Sequence, residues 1–164
     1  MEQRSLEHIF SALNDAKVCY FVVGGLAVVA HGYVRTTTDL DLVIGLAPDN
    51  ITRGLQALIG IGYRMAIPVS VEQFADAGQR DAWRRDKGML VLKLWSDQHK
   101  RTPIDVFVYE PFDVRLEEKK GVRVIWNEDL SVPVVSKDTL LAMKREAGRP
   151  QDLADIDALE QLDS

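Results

Sequence analysis

The feature that most constrains how this chain folds is a pair of glycines, Gly24 and Gly25, that interrupts an apolar run and precedes two aspartates in a second apolar run. The first run, Val18–Val23, is rich in β-branched and aromatic residues, which are typical of a strand. Thirteen residues separate Gly25 from Asp39, which is enough for a short helix and a loop. Asp41 follows one residue later. The pattern predicts a strand, a glycine turn, a short helix and a second strand that carries two carboxylates.

The two aspartates share one face of that second predicted strand. Successive strand side chains point to opposite faces, so Asp39 and Asp41 lie on the same side, roughly 6–7 Å apart along the strand. Leu40, Leu42 and Ile44 then point into a core. Like charges at about 4 Å repel by roughly 1 kcal/mol in water and about 4 kcal/mol at an effective dielectric of 20. A divalent cation removes that cost, and Mg²⁺ prefers oxygen ligands, so the pair indicates metal-assisted phosphoryl or nucleotidyl transfer.

A third carboxylate, Asp105, lies in a later apolar strand predicted over residues 104–109. Its apolar neighbours alternate toward the core, which leaves Asp105 on the opposite face. Three carboxylates can hold two Mg²⁺ ions about 3.5–4 Å apart, with Mn²⁺ as an alternative. Asp39, Asp41 and Asp105 are therefore the candidate catalytic residues and metal ligands, and Asp105 is the candidate base for the attacking hydroxyl.

The glycine pair supplies a candidate phosphate cradle. Glycine lets the main chain approach a phosphate closely, and a helix predicted over Gly25–His31 would present free N–H groups to an anion. Gly24 and Gly25 alone are equally compatible with a plain turn. Their combination with the aspartates is what favours a nucleotide site.

Composition limits the classes of function. The chain has 164 residues, 46% of them hydrophobic, and a net charge of −5. The length predicts one domain over 1–164, and the acidic balance argues against an extended nucleic-acid groove. The apolar run Val18–Ala30 is shorter than the roughly 20 residues that a membrane helix needs. The single cysteine, Cys19, cannot form an internal disulfide and fits a reducing cytoplasm, so we expect a cytoplasmic protein.

The periodicity predicts an α/β fold, a mixed β-sheet flanked by helices. Helices are expected over residues 4–16, 71–77 and 79–85, and a further helix is expected to begin after an N-cap at Asp49. Strands are expected over 18–23, 39–44, 89–95, 104–109, 122–126 and 132–135. Residues 115–120 read as a charged turn or a helix end, and residues 63–87 are the least readable part of the chain.

A C-terminal helical pair is predicted over residues 136–164. Ser136 can cap the first helix, Gly148 can end it, and Pro150 suits the first turn of the second. The second helix is expected to bury an apolar side formed by Leu153, Ile156 and Leu159.

In this order, the motifs resemble those of the polymerase-beta-type nucleotidyltransferase superfamily. The resemblance extends to its small bacterial and archaeal branch, which includes AbiEii-type toxins and minimal nucleotidyltransferases. The N-terminal residues that carry it are Gly24-Gly25-Leu26-Ala27-Val28, His31-Gly32, Arg35, Thr37 and Asp39-Leu40-Asp41. The C-terminal residues that carry it are Lys144, Gly148-Arg149, Asp152-Leu153 and Asp155. The resemblance covers most of the chain and is weakest over residues 60–100.

The resemblance implies transfer of a nucleoside monophosphate from an NTP, with ATP as the first candidate, to an acceptor hydroxyl on a small molecule, a protein or an RNA end. The candidate nucleotide-binding residues are Gly24, Gly25, His31, Arg35, Thr38 and Lys144. It also implies a role as the toxin of a toxin–antitoxin pair, with an antitoxin protein or a second copy of the chain as partner. The second domain that selects the acceptor in antibiotic-modifying members is not recognisable here.

Other readings remain open from the residues. The same fold could serve as a non-catalytic nucleotide- or partner-binding module, although the presence of all three carboxylates argues against that. A metal-assisted phosphohydrolase would use a similar carboxylate set, and the glycine pair favours transfer over hydrolysis. Arg35 could bind a phosphate or pair with an aspartate. His31 and Lys144 each have an ordinary structural interpretation.

Overall fold

A seven-stranded mixed β-sheet organises the molecule, as described by a computed structural model of residues 1–164. The strands are β1 Tyr20–Val23, β2 Leu40–Ile44, β3 Arg64–Met65, β4 Val91–Trp95, β5 Ile104–Phe107, β6 Val122–Asn127 and β7 Leu130–Val134. The helices are α1 Gln3–Asp15, α2 Gly24–Ala30, α3 Pro48–Gly60, α4 Val71–Ala75, α5 Ala77–Lys87, α6 Val114–Lys120, α7 Lys137–Ala147 and α8 Pro150–Gln161. The predicted α/β class is confirmed. None of the helices is long and apolar enough to cross a membrane.

The strand order is β3-β4-β5-β2-β1-β7-β6. The pairs β2/β5 and β1/β7 are parallel, and the other pairs are antiparallel. Strand β2, which contains Asp41 and directly follows Asp39, therefore lies in the middle of the sheet. Its parallel neighbour β5, which carries Asp105, is separated from it by about sixty residues of sequence.

The core lies on both faces of the central strands. Leu40, Leu42 and Ile44 are buried as the alternation predicts, and Val43 on the opposite face is also fully buried. The buried apolar residues form a single cluster of 34 side chains. The carboxylates of β2 and β5 therefore lie at one end of a strand pair that is otherwise apolar, so burial affects their charges.

One local prediction is wrong, and one that left two alternatives open is decided. Helix α3 begins at Pro48 after Ala47, so Asp49 lies in its first turn and does not cap it. Proline is favoured at the first helical position because its missing N–H has no partner there. Residues 115–120 belong to helix α6, whose N-cap Asp113 accepts bonds from the next backbone N–H groups. The two-residue strand β3 had no signal in the sequence.

The C-terminal pair is present with the predicted boundaries. Ser136 caps α7 through the backbone N–H of Thr139, and Gly148 ends it with a positive φ of 62°. The predicted apolar side of α8 is confirmed for Leu159, which is buried, and for Ile156, which packs against the core, but it is wrong for Leu153, which is 56% exposed. The buried positions of α8 are Asp152, Asp155 and Leu159. The two aspartates are buried together with the cations that pair with them.

Candidate active site

The register of the sheet brings two predicted site carboxylates side by side. In the parallel pair of β2 and β5, Asp41 lies opposite Asp105. Asp39 is two residues before Asp41 and shares its face. The pattern of alternation predicted this shared face, and the tertiary structure supplied the pairing of the two strands.

A lysine that sequence reasoning missed lies among these carboxylates. Lys93 on β4 is opposite Asp105 in the antiparallel pair of β4 and β5. Its Nζ is 3.1 Å from Asp105 Oδ1 and 3.9 Å from Asp39 Oδ1. The signal available in the sequence was weak: Lys93 is the one charged residue in the apolar strand of residues 89–95.

The contact between Lys93 and Asp105 is incomplete. Asp105 Oδ1 is buried and has no hydrogen-bond partner, so the lysine ammonium lies near it without good hydrogen-bond geometry. Partial burial lowers the pKa of Lys93, but the contact with Asp105 and the charges of Asp105 and Asp39 outweigh it and raise the pKa above its ordinary value. Lys93 therefore carries a full positive charge at this site.

The charge of Asp41 is disfavoured by its surroundings. Burial, together with the neighbouring charges of Asp105 and Asp39, raises the pKa of Asp41 from 3.8 to about 7. Lys144 and Arg149 act in the opposite direction without cancelling it. Near neutral pH, this carboxyl group is thus only partly ionised unless further positive charge arrives.

The glycine turn fits closely over Asp41. Gly24 has a φ of +65°, a conformation that L side chains rarely adopt. A Cβ at Gly24 would collide with the carboxylate of Asp41, and a Cβ at Gly25 would collide with the side chain of Thr37. Because both side chains are absent, the main chain of the turn packs directly against Asp41 and Thr37, with Gly24 half-buried and Gly25 buried.

A polar cleft of about 370 Å³ opens between this turn and the C-terminal helices. It is lined by Gly24, Gly25, Arg35, Thr36, Thr37, Thr38, Asp39, Asp41, Lys144, Arg149, Pro150, Gln151 and Asp152. A larger open depression of about 640 Å³ lies around Cys19 and Glu118 and contains none of the three aspartates. The smaller cleft therefore contains Asp39 and Asp41, whereas Asp105 lies beside Asp41 on β5 and is not among the lining residues.

A network of ion pairs forms the wall of the cleft opposite the sheet. The guanidinium of Arg35 donates to both oxygens of Asp155, at 2.7 and 2.8 Å. Lys144 Nζ lies 2.9 Å from Asp155 and 3.1 Å from Asp152, and Arg149 also binds Asp152, at 2.7 Å. Burial raises the pKa of both aspartates, but these bonds outweigh it and hold the two pKa values below their ordinary range.

The predicted nucleotide-binding residues are brought together with one exception. Gly24, Gly25, Arg35, Thr38 and Lys144 line the cleft. His31 does not line it, and its Nε2 donates to the carbonyl oxygen of Val135 at 2.7 Å.

Arg35 and Lys144 are already paired with buried carboxylates, so their nucleotide contacts stay predictions. The exposed side chain of Arg149 also reaches the cleft. Arg149 belongs to the C-terminal motif, which predicted no role for it.

The residues fit a divalent cation, although no three candidate ligands are close enough together to form a ready metal site. The donor set consists of carboxylate oxygens, which suit Mg²⁺. Asp105 offers a buried oxygen without a hydrogen bond, and the ionisation of Asp41 is suppressed for want of positive charge. A divalent cation in this position would give Asp105 Oδ1 a partner and would favour the ionised form of Asp41.

Comparisons with known proteins identify the fold. No family model and no curated protein matches the sequence. One similar solved structure is that of LnuA, a lincosamide antibiotic adenylyltransferase, with lincomycin bound. It superposes on this chain with a TM-score of 0.62 and 18% sequence identity, and the match covers 98% of this chain and 97% of that chain. An antigenic nucleotidyltransferase-like protein from Paracoccidioides brasiliensis superposes with a TM-score of 0.56 at 19% identity, over 98% of this chain and 75% of that one. The chain therefore has the nucleotidyltransferase fold. The narrower resemblance to AbiEii-type proteins stays a prediction.

Proposed function

We propose that this protein is a Mg²⁺-dependent nucleotidyltransferase that moves a nucleoside monophosphate from an NTP, with ATP as the first candidate, to an acceptor hydroxyl. One observation carries the proposal: Asp41 and Asp105 are in register across β2 and β5, and a glycine turn with no room for a side chain lies against Asp41. The nucleotidyltransferase fold of the whole chain supports the same reaction class.

Each residue has a chemical role in this reaction. Asp39, Asp41 and Asp105 would hold Mg²⁺, with Mn²⁺ as an alternative, and the bound ions would neutralise the triphosphate and acidify the acceptor hydroxyl. The glycine turn lets the phosphates approach the main chain, and Arg149 at the open side of the cleft can contact them.

The bonds and the proton balance as follows. The acceptor oxygen bonds to the α-phosphorus, the bond from that phosphorus to the β-bridging oxygen breaks, and pyrophosphate leaves. Asp105 accepts the proton of the hydroxyl.

A small hydroxylated molecule is the favoured acceptor. LnuA, whose name gives a lincosamide as its acceptor, superposes with this chain over 97% of its own chain, which supports a small-molecule acceptor. The net charge of −5 also disfavours a long nucleic acid. A protein or RNA acceptor, the toxin role and an antitoxin partner are alternatives that the acceptor screen distinguishes.

The test is a transfer assay with α-labelled NTPs and Mg²⁺. Candidate acceptors are lincomycin, tRNA and the protein itself, and pyrophosphate and labelled products are both measured. We expect stoichiometric pyrophosphate and a labelled acceptor with one NTP. Asp105→Asn should lower kcat by about 10²–10⁴, as expected for loss of a general base.

The matched control for that variant is Asp97→Asn. Asp97 is an exposed aspartate beyond the end of β4, paired only with Arg64 at the surface. It should retain wild-type activity. Labelled NMP released into water without any adduct would instead identify a phosphohydrolase. Nucleotide binding without turnover across the panel would identify a binding module.

A further inference from the structure

Lys93 has an unusual position for a lysine. It is the only cation of β4, and its ammonium projects onto the face of the sheet that carries the three aspartates. The groups that face it are Asp105 from β5 at 3.1 Å and Asp39 before β2 at 3.9 Å, and Asp41 contributes charge from farther away. Lys144 and Arg149, the other cations near Asp41, are bound to Asp152.

We propose that Lys93 is an internal counter-ion that occupies the carboxylate face in the metal-free protein, and that a divalent cation binds there by displacing it. This inference rests on the metal site of the proposed function. The ammonium and a metal ion would compete for the same oxygens of Asp39 and Asp105, so they cannot both be bound to them.

The contacts of Lys93 are those of a replaceable ion. Its distance to Asp39 is at the limit of an ion pair, and Asp105 Oδ1 receives no hydrogen bond of good geometry from it. The lysine side chain is 47% exposed, so its flexible stem can swing the ammonium into water at little cost in hydration. Asp105 is only 15% exposed and stays in the sheet. The mobile partner is therefore the lysine.

The arrangement has two opposing effects. Without metal, Lys93 reduces the repulsion among Asp39, Asp41 and Asp105 and so stabilises the folded site. With metal, the same ammonium must leave, and this requirement weakens apparent metal affinity. The lysine contact and metal binding therefore oppose each other: each lowers the affinity of the aspartates for the other cation.

The first test uses Lys93→Met, which keeps the length of the stem and removes the charge. Mn²⁺ alone, without nucleotide, is titrated into the protein by calorimetry, and thermal melts are recorded with and without metal. We expect Lys93→Met to bind Mn²⁺ about fivefold or more tightly, within the usual range of coupled sites, and to melt at a lower temperature without metal. Lys87→Met, at the exposed end of α5 and free of ion pairs, should change neither quantity.

The second test measures the position of the lysine in the wild-type protein. A crystal structure soaked with Mn²⁺ should show Lys93 Nζ out of contact with Asp105. A metal ion bound to the aspartates while Nζ keeps its contact with Asp105 would overturn the proposal. Unchanged Mn²⁺ affinity in Lys93→Met would also overturn it.

These outcomes separate the inference from the proposed function. Tighter metal binding in Lys93→Met without any transfer activity would support the counter-ion and refute the enzyme assignment. Normal transfer activity of the wild-type protein, together with an unchanged Mn²⁺ affinity in Lys93→Met, would support the enzyme assignment and refute the counter-ion. No Mn²⁺ binding to either protein would refute both.

Discussion

Asp41 shows how a single residue can oppose the stability of its own fold. Its carboxyl group has a pKa raised to about 7 by burial and by its acidic neighbours. Ionising it therefore costs the folded protein free energy, because the unfolded chain ionises at its ordinary value. This unfavourable charge is consistent with a site built to receive a cation.

Asp41→Asn should make the metal-free protein more stable at about pH 8. Between about pH 4 and pH 7 the native state holds a proton on Asp41 that the unfolded state has lost, so the contribution of this group to stability falls as pH rises. One pKa unit corresponds to about 1.4 kcal/mol, and after allowance for screening by Lys93 we expect a gain of about 1–3 kcal/mol at pH 8 that vanishes near pH 4.

Urea unfolding of both proteins across this pH range measures the effect. The same variant should lose nucleotidyl transfer and its response to Mg²⁺. A variant that is less stable than wild type at pH 8 and still responds to metal would show that Asp41 is a structural residue.

Gly24→Ala should damage the site beyond its effect on the backbone. The positive φ of Gly24 disfavours any side chain by about 1–2 kcal/mol, and the new Cβ would also collide with the Asp41 carboxylate. Gly88 has a nearly identical φ of +61° but open space around it. Gly88→Ala is therefore the matched control for strain.

Both variants should lose similar stability in a thermal melt. Only Gly24→Ala should lose Mg²⁺ affinity and transfer activity, measured by calorimetry and by the labelled-NTP assay. Equal activity in the two variants would mean that the glycine serves the turn alone.

At the scale of elements, the C-terminal pair α7 and α8 is attached to the rest of the fold by buried ion pairs as well as by apolar packing. Asp155 of α8 is fully buried and binds both Arg35, which precedes β2, and Lys144 of α7. Arg35, 120 residues away in sequence, therefore meets the two C-terminal helices at one carboxylate. The pair α7–α8 forms one wall of the cleft, so this attachment determines its shape.

Asp155→Asn should destabilise the protein by about 3 kcal/mol, because it leaves Arg35 and Lys144 partly unpaired in a buried position. Glu160→Gln is the matched control. Glu160 pairs with Arg145 across the same two helices, but both side chains are more than half exposed, so the loss should be below about 1 kcal/mol. Urea unfolding at neutral pH compares the two, and equal losses would contradict a structural role for the buried network.

The pH dependence gives a second readout for the same pair of proteins. Burial alone would raise the pKa of Asp155, but the bonds from Arg35, Lys144 and Gln151 hold it below the ordinary value of 3.8. The stability from this group is thus present above about pH 4 and is lost as pH falls through the folded-state pKa. The difference between wild type and Asp155→Asn should narrow in that acidic window.

At the scale of the whole molecule, the cleft is a space between two parts of one fold. Asp39 and Asp41 line the cleft at the start of β2, and Lys144 and Arg149 line it from the C-terminal helical pair. A nucleotide with its metal would contact both parts. Binding should therefore stabilise the global fold as well as the local site.

Mg²⁺ should raise the melting temperature, and NTP added with Mg²⁺ should raise it further. A ligand at one hundred times its Kd stabilises the native state by about 2.7 kcal/mol, which corresponds to roughly 5–10 °C for a chain of this size. Differential scanning calorimetry measures the shift. KCl at the same ionic strength is the control, and an equal shift with KCl would indicate charge screening without a metal site.

Much of the fold could be predicted because local patterns specify it. The alternation correctly assigned Asp41 and Asp105 to strands and to one face, while Asp39, predicted to begin the strand, lies just before β2. Ser136 and Gly148 correctly marked the ends of α7. The inner face of α8 could not be predicted in this way. Leu153 was expected inside, but Asp152 and Asp155 are buried there because cations from other segments pair with them.

The sequence by itself determined the elements, the face on which each aspartate lies and the glycine turn, because these depend on periodicity and on the conformations open to a residue and its near neighbours. Only the tertiary structure decided which strands are adjacent, so only it set Asp41 beside Asp105 and Lys93 between Asp105 and Asp39. It also decided that Arg35 and Lys144 are held by Asp155 while His31 bonds to Val135. Pairing between distant segments depends on the net free energy of the whole packed arrangement, and no local pattern contains that quantity.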